Sequence, residues 1–289
     1  LWQTTGKKTH LEDIFNIIEK SKSLVWEESF QAKSTPTVFS ISNITQVQEK
    51  LLSEDRALLN WFFADTSLYT FVISKNDFFC LSQKLDFSLR ESISKMRSGI
   101  YNFPIAGAKA ARQHNEEYIF HATELFDKLL KPALRKLPQN TSKLTLIPDG
   151  VLHYLPFDAL LVSIPGDPFG FKKFPYLLNH YQTSLAFSAS QLFHSYNSSN
   201  PKAEKTLLSL APDFEQDLRG FSPLKNSQTE VASIQNLISG TQFIGPDATL
   251  ENFLNEAPNY RILHLATHGN ADDRDGKRSY LAFAHHIEK

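Results

Sequence analysis

The order of apolar and polar positions divides the chain into three rhythms. Residues 9–33, "THLEDIFNIIEKSKSLVWEESFQAK", keep a helical spacing in which Ile14, Ile17, Ile18, Leu24 and Val25 make a broad apolar face, with Thr9 placed as N-cap. One helix cannot bury that face alone, so it is expected to pack on something upstream, and "AKSTPTVFS" then reads as a linker. A second helix, "ISNITQVQEKLL", starts at Ser42 or Asn43. The middle rhythm is "ALLNWFFADTSLYTFVISKNDFFCLSQ", whose aromatic and β-branched runs are broken by Ala-Asp-Thr-Ser and Lys-Asn-Asp. That alternation predicts an antiparallel meander. Helices around 86–100 and 113–137 follow, the second kinked or split by Pro132.

From residue 143 short apolar runs alternate with helical segments. "KLTLIP", "TLLSLA" (206–211), "TQFI" (241–244), "RILHLAT" and "SYLAFA" read as strands, and "SQTEVASIQNLISG" and "TLENFLNEA" as helices between them. Ser227 and Glu230 have the spacing of a capping box, and Gly240 is placed to stop that helix. Strands alternating with helices predict an α/β fold with a mainly parallel sheet flanked by helices. Residues 166–175, rich in Gly, Pro and Phe, read as a loop, and the chain holds no tandem repeat.

Composition narrows the function classes. At 289 residues the chain can hold one large domain or two ordinary ones. Thirty basic against 31 acidic residues leave no global field to attract nucleic acid or an anionic membrane surface. No apolar run approaches the roughly 20 residues of a membrane span. Cys80 is the only cysteine, which excludes an internal disulfide and a multi-cysteine metal site and fits a cytoplasmic protein. The sequons at Asn43, Asn140 and Asn197 are then chance matches in polar loops. The leucine at position 1 and the polar tail of "SYLAFAHHIEK" suggest an excerpt of a longer protein.

Chemistry concentrates in "RILHLATHGN", residues 261–270. A run apolar on both faces predicts a central strand, and ligands of open α/β sheets sit at the carboxyl ends of strands. His268 stands at that end, with Gly269 permitting a sharp turn; His264, mid-strand, reads as a hydrogen-bonded core histidine. The pair does not make a zinc site. Four residues along a strand separate two side chains by roughly 13 Å, and Leu265 stands where a zinc protease has glutamate. "ADDRDGKR" fails as a calcium loop, because Ala271 and Ala282 occupy the first and last ligand positions. Asp272, Asp273 and Asp275 of that loop remain candidates for attracting a basic substrate. Cys80, flanked by Phe and Leu with no basic neighbour, reads as inert, and no G-x-S-x-G elbow is present.

A second motif, "LTLIPDGVLHYLPFDALL" (144–161), combines a hairpin-type turn at Asp149-Gly150 with Pro156 placed to start a helix. That helix would carry Phe157, Leu160 and Leu161 into the core, and His153 lies between turn and helix. The order and separation of "IPDGVLHYLPFDALL" and "LHLATHG" resemble the CHAT domain family, caspase-like domains found downstream of tetratricopeptide repeats. The likeness extends over residues 40–289, through "LLNWFFADTSLYTFVIS", "LFDKLLKPALRKL" and "YLLNHYQTSLAFSASQLF".

The resemblance implies three parts: the end of a helical repeat array over 1–35, a degenerate lobe over 40–140 and a caspase-like catalytic lobe over 141–289. It also implies a cysteine peptidase with a His-Cys dyad, using no metal and no cofactor. His268 would be the general base and acid, and the amide of Gly269 would bind the oxyanion. The family's cysteine follows the next core strand, in a segment that residues 1–289 do not contain. The implied partners are a protein or peptide substrate, the upstream repeats and a regulatory protein. A non-catalytic, repeat-linked interaction module is the alternative.

Overall fold

In the computed structural model, which describes residues 8–30, 43–64, 66–85, 88–102, 107–197, 203–214, 220–270 and 278–284, the run "RALLNWFFA" forms strand β1 (Arg56–Ala64). Its neighbours on one side are β2 (Ser67–Ile73) and β3 (Phe78–Lys84), paired antiparallel as the expected meander. On the other side β1 pairs in parallel with β4 (Lys143–Ile147), and β4 with β5 (Gln182–Leu185). The result is one mixed sheet of order β3-β2-β1-β4-β5. The sheet therefore runs across residue 140, and the chain divides into compact units at another place: Leu1–Ser198 and Ser199–Lys289.

The first unit has helices on both faces of this sheet. Alternation along β1 sends Ala57, Leu59 and Trp61 to one face, where they meet α3 (Leu89–Asn102) and α4 (Ala108–Leu125). Leu58 goes to the other face, with Phe71, Ile73, Cys80 and Ile147, under α1 (Lys8–Phe30) and α2 (Ile44–Gln46). A strand covered on both faces has no polar alternation to show, which accounts for an apolar run that only Asn60 interrupts. Asn43 is the cap of α2, in a full capping box with Gln46, and a π-helical turn continues to Leu51. After α4 comes another π turn, Phe126–Leu130, and then α5 (Lys131–Leu134). Pro132 supplies no N–H to the preceding turn, and the widened turn is the local answer.

Two expectations for this unit change, at Asp149-Gly150 and at Pro156, and the first helix docks by a face that only Ile18 shares with the apolar face of the sequence reading. The buried side of α1 is Leu11, Phe15 and Ile18, continued by Glu19, Lys22 and Ser23, while Ile14, Ile17 and Leu24 are exposed. The side chain of Val25 and the linker over 32–40 lie outside the described residues. Asp149-Gly150 is not a hairpin. Asp149 is extended and precedes a 3-10 turn, Gly150–Tyr154, without a side-chain cap, and Gly150 stands at φ 49°, the left-handed region glycine enters without strain. Pro156 begins only a second 3-10 turn, Phe157–Ala159, yet Phe157, Leu160 and Leu161 are buried as expected.

The second unit is built on a parallel sheet of order β7-β6-β8, with β6 (Lys205–Pro212), β7 (Gly240–Gly245) and β8 (Tyr260–Leu265). The connections are α7 (Ser227–Leu237) and α8 (Leu250–Glu256), the latter capped by Thr249. Within the described residues β6 is the central strand and β8 an edge, contrary to the sequence reading, with Ile262 and Leu263 at 44% and 45% exposure. Apolar residues on both faces mark a strand suited to burial, and that pattern does not say on how many sides it is paired. Gly240 also has a different role from the one expected. It opens β7, and a Cβ there would lie 2.2 Å from the Leu207 carbonyl oxygen, so glycine is what lets β7 approach β6. The "SYLAFA" segment contributes a two-residue strand, β10 (Tyr280–Leu281), paired with β9 (Gly269–Asn270).

Candidate active site

His268 follows the carboxyl end of β8 in a segment fastened from both sides. Ala266 N–H donates to Leu210 O of β6 at 2.8 Å, Thr267 Oγ1 donates to Ala282 O, and Ala282 N–H donates to His268 O at 2.9 Å. The backbone under the imidazole is therefore fixed without help from its side chain. Its Nε2 lies 2.7 Å from the carbonyl oxygen of Ser222. A carbonyl can only accept, so Nε2 carries the hydrogen, and Nδ1 is left with the lone pair that a base needs. The ring is half-buried between Phe221, at 5.2 Å and 16°, and Phe214, at 4.9 Å and 64°.

Gly269 is not a left-handed turn residue; it begins β9, where a Cβ would meet Leu281 Cδ2 at 3.1 Å. Its place in the ladder fixes the direction of its amide. Ala282 bonds to His268 O, and Leu281 is the register partner of Gly269. In an antiparallel pair hydrogen-bonded and non-bonded positions alternate, so Gly269 occupies a non-bonded position and its N–H points away from β10. Beside the end of β8 is a cleft of about 480 Å³, walled by residues 223–227 with Glu230 and by Leu265, Ala266 and Thr267. The cleft adjoins the strand end that His268 and Gly269 follow, and its wall on that side stops at Thr267. Asp272, Asp273 and Asp275 lie outside the described residues.

The expected capping box at Ser227 does not form. Asn226 occupies the N-cap position in the helical region, and Ser227 Oγ donates instead to Leu224 O at 2.9 Å. Glu230 is thereby free of the cap and brings Oε1 to 3.1 Å from His264 Nε2, at an angle that makes no hydrogen bond. His264 is the register partner of Ser209 on β6. Ser209, His264 and Glu230 are the residue types of a serine-hydrolase triad, but Ser209 is fully buried and no substrate reaches its hydroxyl. His264 is half-buried against α7 rather than enclosed in the core.

In the first unit Cys80 is buried on β3, and burial pushes its thiol up to about 12, so almost none is thiolate at neutral pH. His153 stacks on Phe187 at 6.3 Å, and Asp149 Oδ2 accepts from Phe63 N at 2.7 Å, tying the end of β4 to β1. Desolvation and the charge of Lys22 hold His153 below the usual histidine range, against the opposing pull of Asp149. Asp149, Gly150, Pro156 and Phe157 serve as structure; Gly150 packs under Phe63 and Phe157 stacks on Trp61. Among the described residues no group of histidine, cysteine and carboxylate side chains could hold a metal ion, and no helix is long and apolar enough to cross a membrane.

Sequence reading located His268 and missed what surrounds it. Ser222 acts through its main chain, so no side-chain motif marks it. Phe214 and Phe221 are separated from His268 by two strands and two helices, and only the fold brings them together. No curated protein matches the chain. The sequence model of the CHAT domain matches residues 121–289, more than half of the chain and including the whole of the His268 site. The chain belongs to the CHAT domain family, a caspase-like, peptidase-related family.

Proposed function

We propose that residues 1–289 carry the histidine half of a caspase-like cysteine endopeptidase site. The observation that carries the reading is the hydrogen bond from His268 Nε2–H to Ser222 O, which leaves Nδ1 with the lone pair that can accept a proton. In this reading Nδ1 takes the proton of a cysteine thiol, and the thiolate sulfur attacks the substrate carbonyl carbon. The outward N–H of Gly269 stabilises the oxyanion. The histidinium then returns the proton to the leaving amine, and water hydrolyses the thioester.

Cys80 is unsuited to be the nucleophile, because its thiol is buried and its proton is held to about pH 12. The nucleophile is then a cysteine supplied from outside residues 1–289. The test compares cleavage of casein and of a fluorogenic peptide panel by the natural protein, by its His268→Ala variant and by residues 1–289 alone. Only the first should show turnover, and iodoacetamide should stop it. Turnover that survives His268→Ala removes the base assignment. No turnover in any of the three leaves the interaction-module reading in its place.

A further inference from the structure

We propose that Phe221 is a positioning residue for His268, holding the imidazole in the rotamer and tautomer that the Ser222 carbonyl selects. The inference rests on reading His268 as the general base. Histidine's second side-chain torsion is broad, so a ring standing just past a strand end is not held by its own rotamer preferences. Here it is held from three sides. Phe221 lies nearly parallel to it, 5.2 Å between centroids at 16°; Phe214 meets it edge-on at 4.9 Å; Ser222 O takes the Nε2 hydrogen at 2.7 Å.

Two of these three contacts come from adjacent residues, so one dipeptide delivers both a flat surface and an acceptor. Phe221 is itself braced, with Phe214 at 5.5 Å and Tyr280 at 5.8 Å between ring centroids. Rotating the imidazole about its second torsion would drive its edge into Phe221 and withdraw Nε2 from Ser222. The flat contact has a chemical consequence as well. Once Nδ1 has accepted a proton the ring carries a positive charge over the π face of Phe221, an attraction that exists only in the charged form. A ringless side chain of similar bulk would fill the space and provide neither effect.

The experiment substitutes Phe221→Leu and Phe221→Tyr. In residues 1–289 labelled with ¹⁵N-histidine, with the His268 signals assigned by their loss in His268→Gln, wild type and Phe221→Tyr should show one Nε2–H tautomer. Phe221→Leu should show a mixture of tautomers. In the natural protein Phe221→Leu should lower kcat roughly 10- to 100-fold at unchanged KM, with Phe221→Tyr restoring it. A single Nε2–H tautomer together with undiminished kcat in Phe221→Leu overturns the proposal. If that variant fails to fold, Phe221→Met takes its place with the same expectations. The NMR result needs no turnover, so failure of the peptidase reading, seen as an active His268→Ala protein, is distinct from failure of the clamp.

Discussion

Glu19 on the first helix accepts two hydrogen bonds from Ser190, 171 residues later, one from its amide at 2.8 Å and one from its hydroxyl at 2.9 Å. Its other oxygen accepts from Asn60 Nδ2 at 2.9 Å, and Asn60 Oδ1 accepts from Lys22 at 2.8 Å. Lys22 also donates to the carbonyls of Trp61 and Pro148, at 3.2 and 3.3 Å. Glu19 is 0% exposed and Lys22 9%. A charged pair is thus enclosed between α1, β1 and α6 (Ala189–Asn197), with its hydrogen-bonding groups engaged. Desolvation pulls Lys22 below the ordinary lysine range, opposed by the charges of Glu19 and Asp149.

Removing one member should cost more than removing both. Glu19→Leu strands the Lys22 ammonium away from water and is expected to destabilise the protein by about 3–5 kcal/mol. The double substitution Glu19→Leu, Lys22→Met takes away both charges and should cost distinctly less than the two single changes added together. Urea unfolding of the four proteins measures this. Additive losses would mean that the two groups do not stabilise each other.

The same network shows what a hydrophobic pattern cannot see. Ile14, Ile17 and Leu24 count as apolar wherever they stand, whereas Glu19 and Lys22 count as surface. The helix docks by Leu11, Phe15 and Ile18 together with those two charges, because Asn60 offers polar partners in the middle of a buried strand. Period alone therefore found the helix and one member of its docking face, Ile18, but not the two charges that complete that face. For the second unit, the strands, both helices and the place of His268 were legible. The edge position of β8 was not, since the apolar pattern of a strand records burial and not neighbours. Ser222 was beyond reach because a main-chain carbonyl carries no residue signature.

Cys80 should resist alkylation. Its thiol is buried among Leu58, Phe71 and Phe78 and deprotonates only near pH 12, so iodoacetamide at pH 8 should label the folded protein far more slowly than the urea-unfolded chain. Stability follows with a definite sign. The unfolded thiol loses its proton above its ordinary value of 9.0 while the folded one keeps it to about 12, so the wild type loses stability as pH rises through that interval. Relative to Cys80→Ala the loss should approach about 1.4 kcal/mol for each pH unit above 9.0. Parallel pH profiles for the two proteins would show that the thiol titrates normally.

Gly240→Ala should damage the second unit. The new Cβ would lie 2.2 Å from Leu207 O and 2.7 Å from Leu207 Cβ, and both belong to the central strand. Backbone cannot swing aside as a side-chain tip can, so β7 must move off β6. A cost of about 3 kcal/mol is expected. By contrast Gly166→Ala meets nothing within 4 Å and should be close to neutral, which makes it the control for thermal unfolding.

The two histidines of the motif should separate by function more than by stability. His264→Ala removes a half-buried ring whose neighbour, the Glu230 carboxylate, is exposed to water and can resolvate. Losing that contact and some packing is expected to cost about 1 kcal/mol. Cleavage by the natural protein should change little, because the carboxyl end of β8 is fastened through Ala266, Thr267 and the His268 carbonyl rather than through His264. His268→Ala leaves the same backbone bonds in place and opens space beside Phe221, which can settle into it. Its thermal midpoint should stay near that of wild type, while cleavage falls by about 10²- to 10⁴-fold with the loss of base and acid. Rates and midpoints of both variants decide between the two residues. A His264→Ala protein that keeps its fold and loses its activity would move the base from the strand end to the strand itself.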